Sequence, residues 1–292
     1  MKKILFTGLA ASAFAFTSCG DKKEEASTGV DKAGLNATEA VENWKTDVTE
    51  GKIVSLWDSL PGSYQADVSG LAHSLGDKVD PEVYDKSMET MMMAAKLLKD
   101  KKAIVLEIIS ESLPAAQDMD SATMEANYDS LVGLLNTVTN SDMKDVEGLK
   151  KLDMQKFLGQ LEGNIADLMT LPVSPDAPFT LSDLKSMTTK VLSETADAAE
   201  LELTVKDETE QLKLNKVEDR WVPAEMSASW SEKMIEAKSA IAQIGDMEPM
   251  QKGQILGGLT MAQGLIESLN SANTKEEMQM KAMMAAGQFM GQ

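Results

Sequence analysis

Apolar residues recur every three or four positions along most of this chain, and only once does that spacing collapse to two. A period near 3.6 is one face of a helix; a period of two is a strand with one face buried. The fold class follows from where the switch falls. Asn36-Ala37-Thr38-Glu39 reads as a capping box and opens a helix carrying Val41, Trp44 and Val48. Glu50-Gly51 breaks it. Ile53, Leu56, Trp57 and Leu60 make a second face, stopped by Pro61-Gly62, and Val68, Leu71 and Leu75 a third, stopped by Gly76. Asp80-Pro81 starts a long helix through a side-chain cap and a proline at the first helical position. Its face is Tyr84, Met88, Met91, Ala95 and Leu98, up to a charged break at Lys99 to Lys102. The run Ala103 to Ile109 suits a buried strand or a helix; with no turn signal before it, helix is the better reading.

Beyond Pro114, Tyr128, Leu131, Leu135 and Val138 share a face, and Ser141 can cap a short segment running to Lys151. Met154, Phe157, Leu161, Ile165 and Leu168 follow. Pro172, Pro175 and Pro178 then mark a stiff linker. From Met187 the period is two. Leu201, Leu203 and Val205 oppose Glu202, Thr204 and Lys206; Asp207-Glu208-Thr209 turns; Leu212 and Leu214 alternate with Lys213 and Asn215. Glu218-Asp219 turns again into Arg220-Trp221-Val222, and Pro223 ends the run. This predicts an antiparallel meander with one wet face, too small to stand without helices against it. Helical spacing returns at Trp230, Met234, Ala237, Ile241 and Ile244. It continues past Pro249 at Ile255, Leu259, Ala262, Ile266 and Leu269, and ends weakly at Met278, Ala282, Ala285 and Phe289.

The expected class is therefore α+β, predominantly helical: a helical bundle with one small antiparallel β-meander at about 187–223. The organisation read along the chain is a leader at 1–18, a tether at 19–35, a helical region at 36–171 and the linker at 172–178. The meander with a packing helix occupies 179–245, and C-terminal helices fill 246–292. The helices differ in length and spacing, which argues against a helical repeat array.

Lys2 and Lys3 precede an apolar run from Ile4 to Phe16, followed by Thr17-Ser18-Cys19-Gly20. That is the layout of a secretory signal, too short to span a membrane. Cys19 is the only cysteine in the chain. Its position after small residues resembles the lipobox of bacterial lipoproteins, although Phe16 stands where that family prefers leucine. The resemblance implies diacylation of the Cys19 thiol, removal of residues 1–18 and acylation of the new amine. Stable anchoring needs more than one acyl chain, which such a modification supplies. Ala13-Phe14-Ala15 offers a rival cleavage that would leave a secreted protein with a free thiol. Gly20, rather than aspartate, after the cysteine favours the outer membrane facing the periplasm under the enterobacterial sorting rule.

The net charge is −19, and becomes −21 when Lys2 and Lys3 leave with the leader. A field of that sign repels nucleic acid and anionic head groups. Arg220 is the sole arginine, so bidentate phosphate clamps are nearly absent. Without a second cysteine there is no disulfide frame. The core must be aliphatic and thioether, given 21 methionines and 4% aromatics.

Two pieces are similar to the NTF2-like domains of bacterial lipoproteins. One is Ala37 to Gly76, with Trp57-Asp58-Ser59-Leu60-Pro61 and Tyr64; the other is Leu201 to Pro223, closing on Lys216-Val217-Glu218-Asp219-Arg220-Trp221-Val222. The resemblance implies a curved sheet over helices with a concave pocket, whose wall would draw on Trp57, Tyr64, His73 and Trp221. It implies no reaction, since that fold carries both enzymes and inert binders.

Candidate chemistry is thin. His73, the only histidine, has Asp58, Tyr64 and Asp67 near it in sequence, but no nucleophile or second base at a telling spacing. Met91-Met92-Met93 and Met278, Met280, Met283 and Met284 offer soft ligands for copper(I), yet methionine on a helix face is more simply core filling. Asp118, Asp120 and Glu125 lack the ordered spacing of a calcium loop. Neither catalytic residues nor a metal or cofactor is expected. The function expected is a lipid-anchored, non-enzymatic binding or assembly role with an envelope protein partner; the alternative is a pocket protein that binds or turns over a small molecule.

Overall fold

The computed structural model describes residues 32–112, 120–169, 180–206, 208–245 and 247–290. The leader, Cys19, Pro114 and the linker 172–178 lie outside the described residues, as does the side chain of Phe289. Among the described residues, twelve α-helices accompany one four-stranded antiparallel sheet, so the chain is a predominantly helical α+β protein.

In chain order the helices are α1 (Ala37–Thr49), α2 (Ile53–Asp58), α3 (Gly62–Lys78), α4 (Pro81–Asp100), α5 (Lys102–Ser112) and α6 (Ser121–Asn140). A 3-10 turn (Asp142–Lys144) leads to α7 (Val146–Leu149), α8 (Met154–Met169) and α9 (Leu181–Lys185). Strands β1 (Thr188–Glu194), β2 (Ala198–Val205), β3 (Glu208–Val217) and β4 (Arg220–Pro223) follow, then α10 (Ala224–Ala242), α11 (Pro249–Asn270) and α12 (Lys275–Met290). Contacts gather these into two units, each discontinuous in sequence: 32–78, 149–169 and 180–244 in one, 79–148 and 245–290 in the other. The stretch 36–171 thus divides between them.

In the first unit the sheet runs β1-β2-β3-β4 as a meander. Leu201 faces Leu212 across the β2–β3 ladder and Ala199 faces Leu214, so one face of both strands is apolar. That face is buried with Val41 and Ala40 of α1 and with Leu184 and Met187. Each such leucine contributes about 1.5–3 kcal/mol through burial. The other face carries the ion pairs Lys190–Glu202 at 3.1 Å and Lys213–Glu200 at 3.8 Å. Helix α1 begins as its sequence requires: the Asn36 side chain accepts from the Glu39 amide at 2.9 Å, and the Glu39 carboxylate accepts from the Asn36 amide at 3.0 Å. Arg220 donates to the Asp58 carbonyl at 2.6 Å, at the electronegative end of α2.

Two boundaries differ from the sequence reading. Gly76 does not stop a helix; α3 continues to Lys78, and Gly76 is buried where a Cβ would sit 2.9 Å from Lys150 Cγ. It serves close approach rather than chain reversal. The β2–β3 hairpin turns earlier and more tightly than Asp207-Glu208-Thr209. Glu208 already pairs with Val205 and Thr209 with Thr204, and Lys206 takes a φ of 55°. Short turns with positive φ match the twist of the flanking strands.

The second unit is helical. Asp80 caps α4 by accepting from the Glu82 and Val83 amides, with Pro81 at the first position. The segment Ala103 to Ile109 is helix, inside α5. Its core gathers Leu97, Ile104, Ile108, Leu269, Ala272 and Met278. The face of α6 is rotated from the expected one: Tyr128 and Val132 are buried while Leu131 is 57% exposed. The Tyr128 hydroxyl donates to the Leu98 carbonyl at 2.7 Å, which fixes that rotation. Three lysines each bridge two carboxylates: Lys252 between Asp80 and Glu82, Lys102 between Glu125 and Asp129, and Lys275 between Glu107 and Glu111.

Candidate functional site

Trp221 sits on β4 with its ring buried, and its indole N–H donates to the Leu35 carbonyl at 2.8 Å. The Lys216 ammonium lies 5.1 Å from its ring centroid. Beside it is a depression walled by Lys32, Leu35, Ala40, Asn43, Trp44 and Ser59. It has room for about one water molecule. The cation in its wall is already engaged: Lys32 pairs with Asp47 at 3.2 Å, and Asp47 also accepts from the Ser55 hydroxyl at 2.8 Å.

Of the four aromatic and histidine residues expected in a pocket wall, only Trp221 lines this depression. Trp57 is buried in the first unit, and its carbonyl accepts from the Gln65 side chain at 2.9 Å. Tyr64 is stacked on Trp230, and burial pushes its phenol above the usual range. Asp67 accepts from the Trp230 indole at 3.1 Å and from Lys238 at 2.9 Å; the lysine holds its carboxyl below the usual range. His73 lies on α3, half-buried, with Nε2 enclosed and without a hydrogen-bond partner. A general base is oriented through its hydrogen bonds, and nothing engages that nitrogen. The Asp58 carboxylate accepts from Gln155 at 3.1 Å. These contacts bind elements of the first unit together. Among the described residues no three His, Cys, Asp or Glu side chains cluster as metal ligands.

The methionines overturn a sequence expectation. Met278 is buried, but Met280, Met283 and Met284 are 51%, 69% and 63% exposed, together on one face of α12. Met91 and Met92 of α4 are also exposed. They are surface, not core filling, and sequence spacing could not tell the two apart, because a thioether stripe looks alike on either side of a helix.

The Trp230–Asp67 bond and the Lys32–Asp47 pair escaped the sequence reading. Each acts through a partner distant in the chain, and no local signal marks such pairs. No family model, curated protein or solved structure matches the chain.

Proposed function

We propose that this protein is a lipid-anchored component of the cell envelope, held through acyl chains on Cys19 at the periplasmic face of the outer membrane, where it binds a protein partner without catalysis. The observation that carries the anchor is the placement of the chain's one cysteine directly behind an apolar leader and two small residues. The observation that favours a protein partner is the exposed thioether face of α12. Unbranched, polarizable side chains adapt to apolar partners of varied shape, and exposed patches of them mark interaction surfaces on soluble domains.

The test is intact mass and membrane fractionation of the full chain expressed in a Gram-negative host, beside Cys19→Ala. Acyl mass on a chain that begins at Cys19 and pellets with membrane, lost in the variant, supports the anchor. Two soluble forms that begin near Phe16 would sink it. Photocrosslinkers placed at Met283 and Met284 then test the partner role: envelope adducts are expected there, and their absence from anchored protein removes that role.

A further inference from the structure

Every exposed methionine among the described residues belongs to the second unit: Met91 and Met92 on α4, Met250 and Met261 on α11, and Met280, Met283 and Met284 on α12. In the first unit Met154 and Met187 are buried, and Met169, Met226 and Met234 half-buried. Helix α12 holds both kinds. Met278 is 6% exposed and packs in the core with Leu97 and Ala272, whereas Met280, two residues on, is 51% exposed. Met283 and Met284 follow Met280 at the spacing of one helical turn, so the three thioethers share a face. On α4 buried Met88 stands against exposed Met91 and Met92 in the same way.

A thioether differs from an aliphatic side chain in its sulfur lone pair, which peroxides oxidise. The sulfur attacks one peroxide oxygen. An S–O bond forms, the O–O bond breaks, and the other oxygen leaves as water with both protons. Sulfur gives up two electrons and the peroxide takes them. The product, a sulfoxide, is polar and accepts hydrogen bonds. In the core such a group would be left unpaired, at a cost to folding; on the surface water satisfies it. Burial therefore separates the methionines that the fold must protect from those that can change state without opening the helix. We infer that Met280, Met283 and Met284 form a site of reversible oxidation by peroxide, which turns this face of α12 from apolar to polar while Met278 and the core stay reduced. Methionine sulfoxide reductases, one for each sulfoxide epimer, reverse the change. Leucine at the three positions would be as helical and as apolar but could not be switched. This goes beyond the envelope role and depends on neither the anchor nor a partner.

The full chain carrying Cys19→Ala, which removes the one thiol, is treated with hydrogen peroxide and mapped by peptide mass spectrometry, with helicity followed by circular dichroism. Met280, Met283 and Met284 are expected to gain oxygen about tenfold faster than Met278, in keeping with their exposures, at unchanged helicity. In urea the four rates should converge, since the fold no longer decides access. Equal rates in the folded chain, or helicity lost as the three oxidise, would overturn the proposal. Retention on a hydrophobic-interaction column reads the face itself. Oxidation is expected to shorten it, and the two reductases to restore it. A chain that also carries Met280→Leu, Met283→Leu and Met284→Leu should lose much less retention under the same treatment. Retention unchanged by oxidation, the same loss in the leucine variant, or sulfoxides that the reductases leave in place would refute the switch.

Discussion

Tyr64 lies flat against Trp230, with ring centroids 3.9 Å apart and planes 7° from parallel. The pair joins α3 to α10, and the Trp230 indole is tied to Asp67 one turn further along α3. Helix α10 has no fully buried residue of its own; besides this stack, it is held by Asn215 of β3 donating to the Ser227 hydroxyl at 2.8 Å and by Lys238 donating to Asp67 at 2.9 Å. Trp230→Ala is expected to lower the stability of the first unit by about 2–4 kcal/mol, less than for a fully enclosed tryptophan. Tyr64→Ala combined with it should cost less than the two separate losses together, by about 0.5–1.5 kcal/mol, the coupling typical of aromatic pairs. Urea denaturation of the four proteins of that cycle measures it. Strict additivity would mean that the stack contributes nothing beyond area.

Two glycines of the same unit should respond in opposite ways to alanine. Gly51 holds a φ of 69°, and a Cβ there would lie 2.5 Å from the Ala166 Cα. Backbone cannot rotate away as a side chain can, so Gly51→Ala is expected to cost about 3 kcal/mol or more. Gly163, inside α8, has nothing within 4 Å. Gly163→Ala should raise stability by about 0.5–1 kcal/mol through helix propensity alone. Shifts of the denaturation midpoint in the same direction for both would refute the distinction.

The Glu218 carboxylate accepts from the Ser63 amide at 3.0 Å, capping α3 from the turn between β3 and β4. Hydrogen bonds from the Ser63 hydroxyl and amide hold its carboxyl below the ordinary glutamate value. A lowered folded pKa means that the unfolded chain takes up the proton first as pH falls. The cap therefore contributes fully above the unfolded value of about 4.3 and fades as pH drops through the folded value. Most of this group faces water, so the contribution is about 1 kcal/mol or less. Glu218→Gln removes the titration. The stability gap between wild type and variant should be open at neutral pH and close in acid. A gap independent of pH would contradict the assignment.

Local signals carried most of the fold. The Asn36 and Asp80 caps, the helix at Ala103 to Ile109 and the meander are all written in a few adjacent residues, where backbone chemistry and side-chain period act without distant help. What the sequence hid depends on neighbours. Gly76 looks like any helix stop until Lys150 is seen against it. Leu131 and Val132 are adjacent apolar residues, and which one faces inward depends on packing against a neighbouring helix, where Tyr128 bonds to Leu98. The residues expected in a pocket wall show the same dependence on neighbours. Trp57, Tyr64, His73 and Trp221 share no local constraint, and each found a different partner or none.

The pair Lys32–Asp47 sets a last test of what holds the entry to the first unit. Both side chains are largely enclosed, at 9% and 7% exposure, and the Ser55 hydroxyl completes the carboxylate's bonding. Removing one ion leaves the other without its counter-charge in a site poor in water, and that is more damaging than never having had a pair. Lys32→Met is expected to cost about 2–4 kcal/mol, since it takes away the counter-charge of the enclosed Asp47 carboxylate and one of its donors. Lys32→Met together with Asp47→Leu should recover a large part of that loss, because no isolated charge remains. Thermal denaturation of the wild type, the single variant and the double variant separates the possibilities. If the double variant falls further than the single one, the ion pair stabilises the fold on balance rather than being merely costly to break.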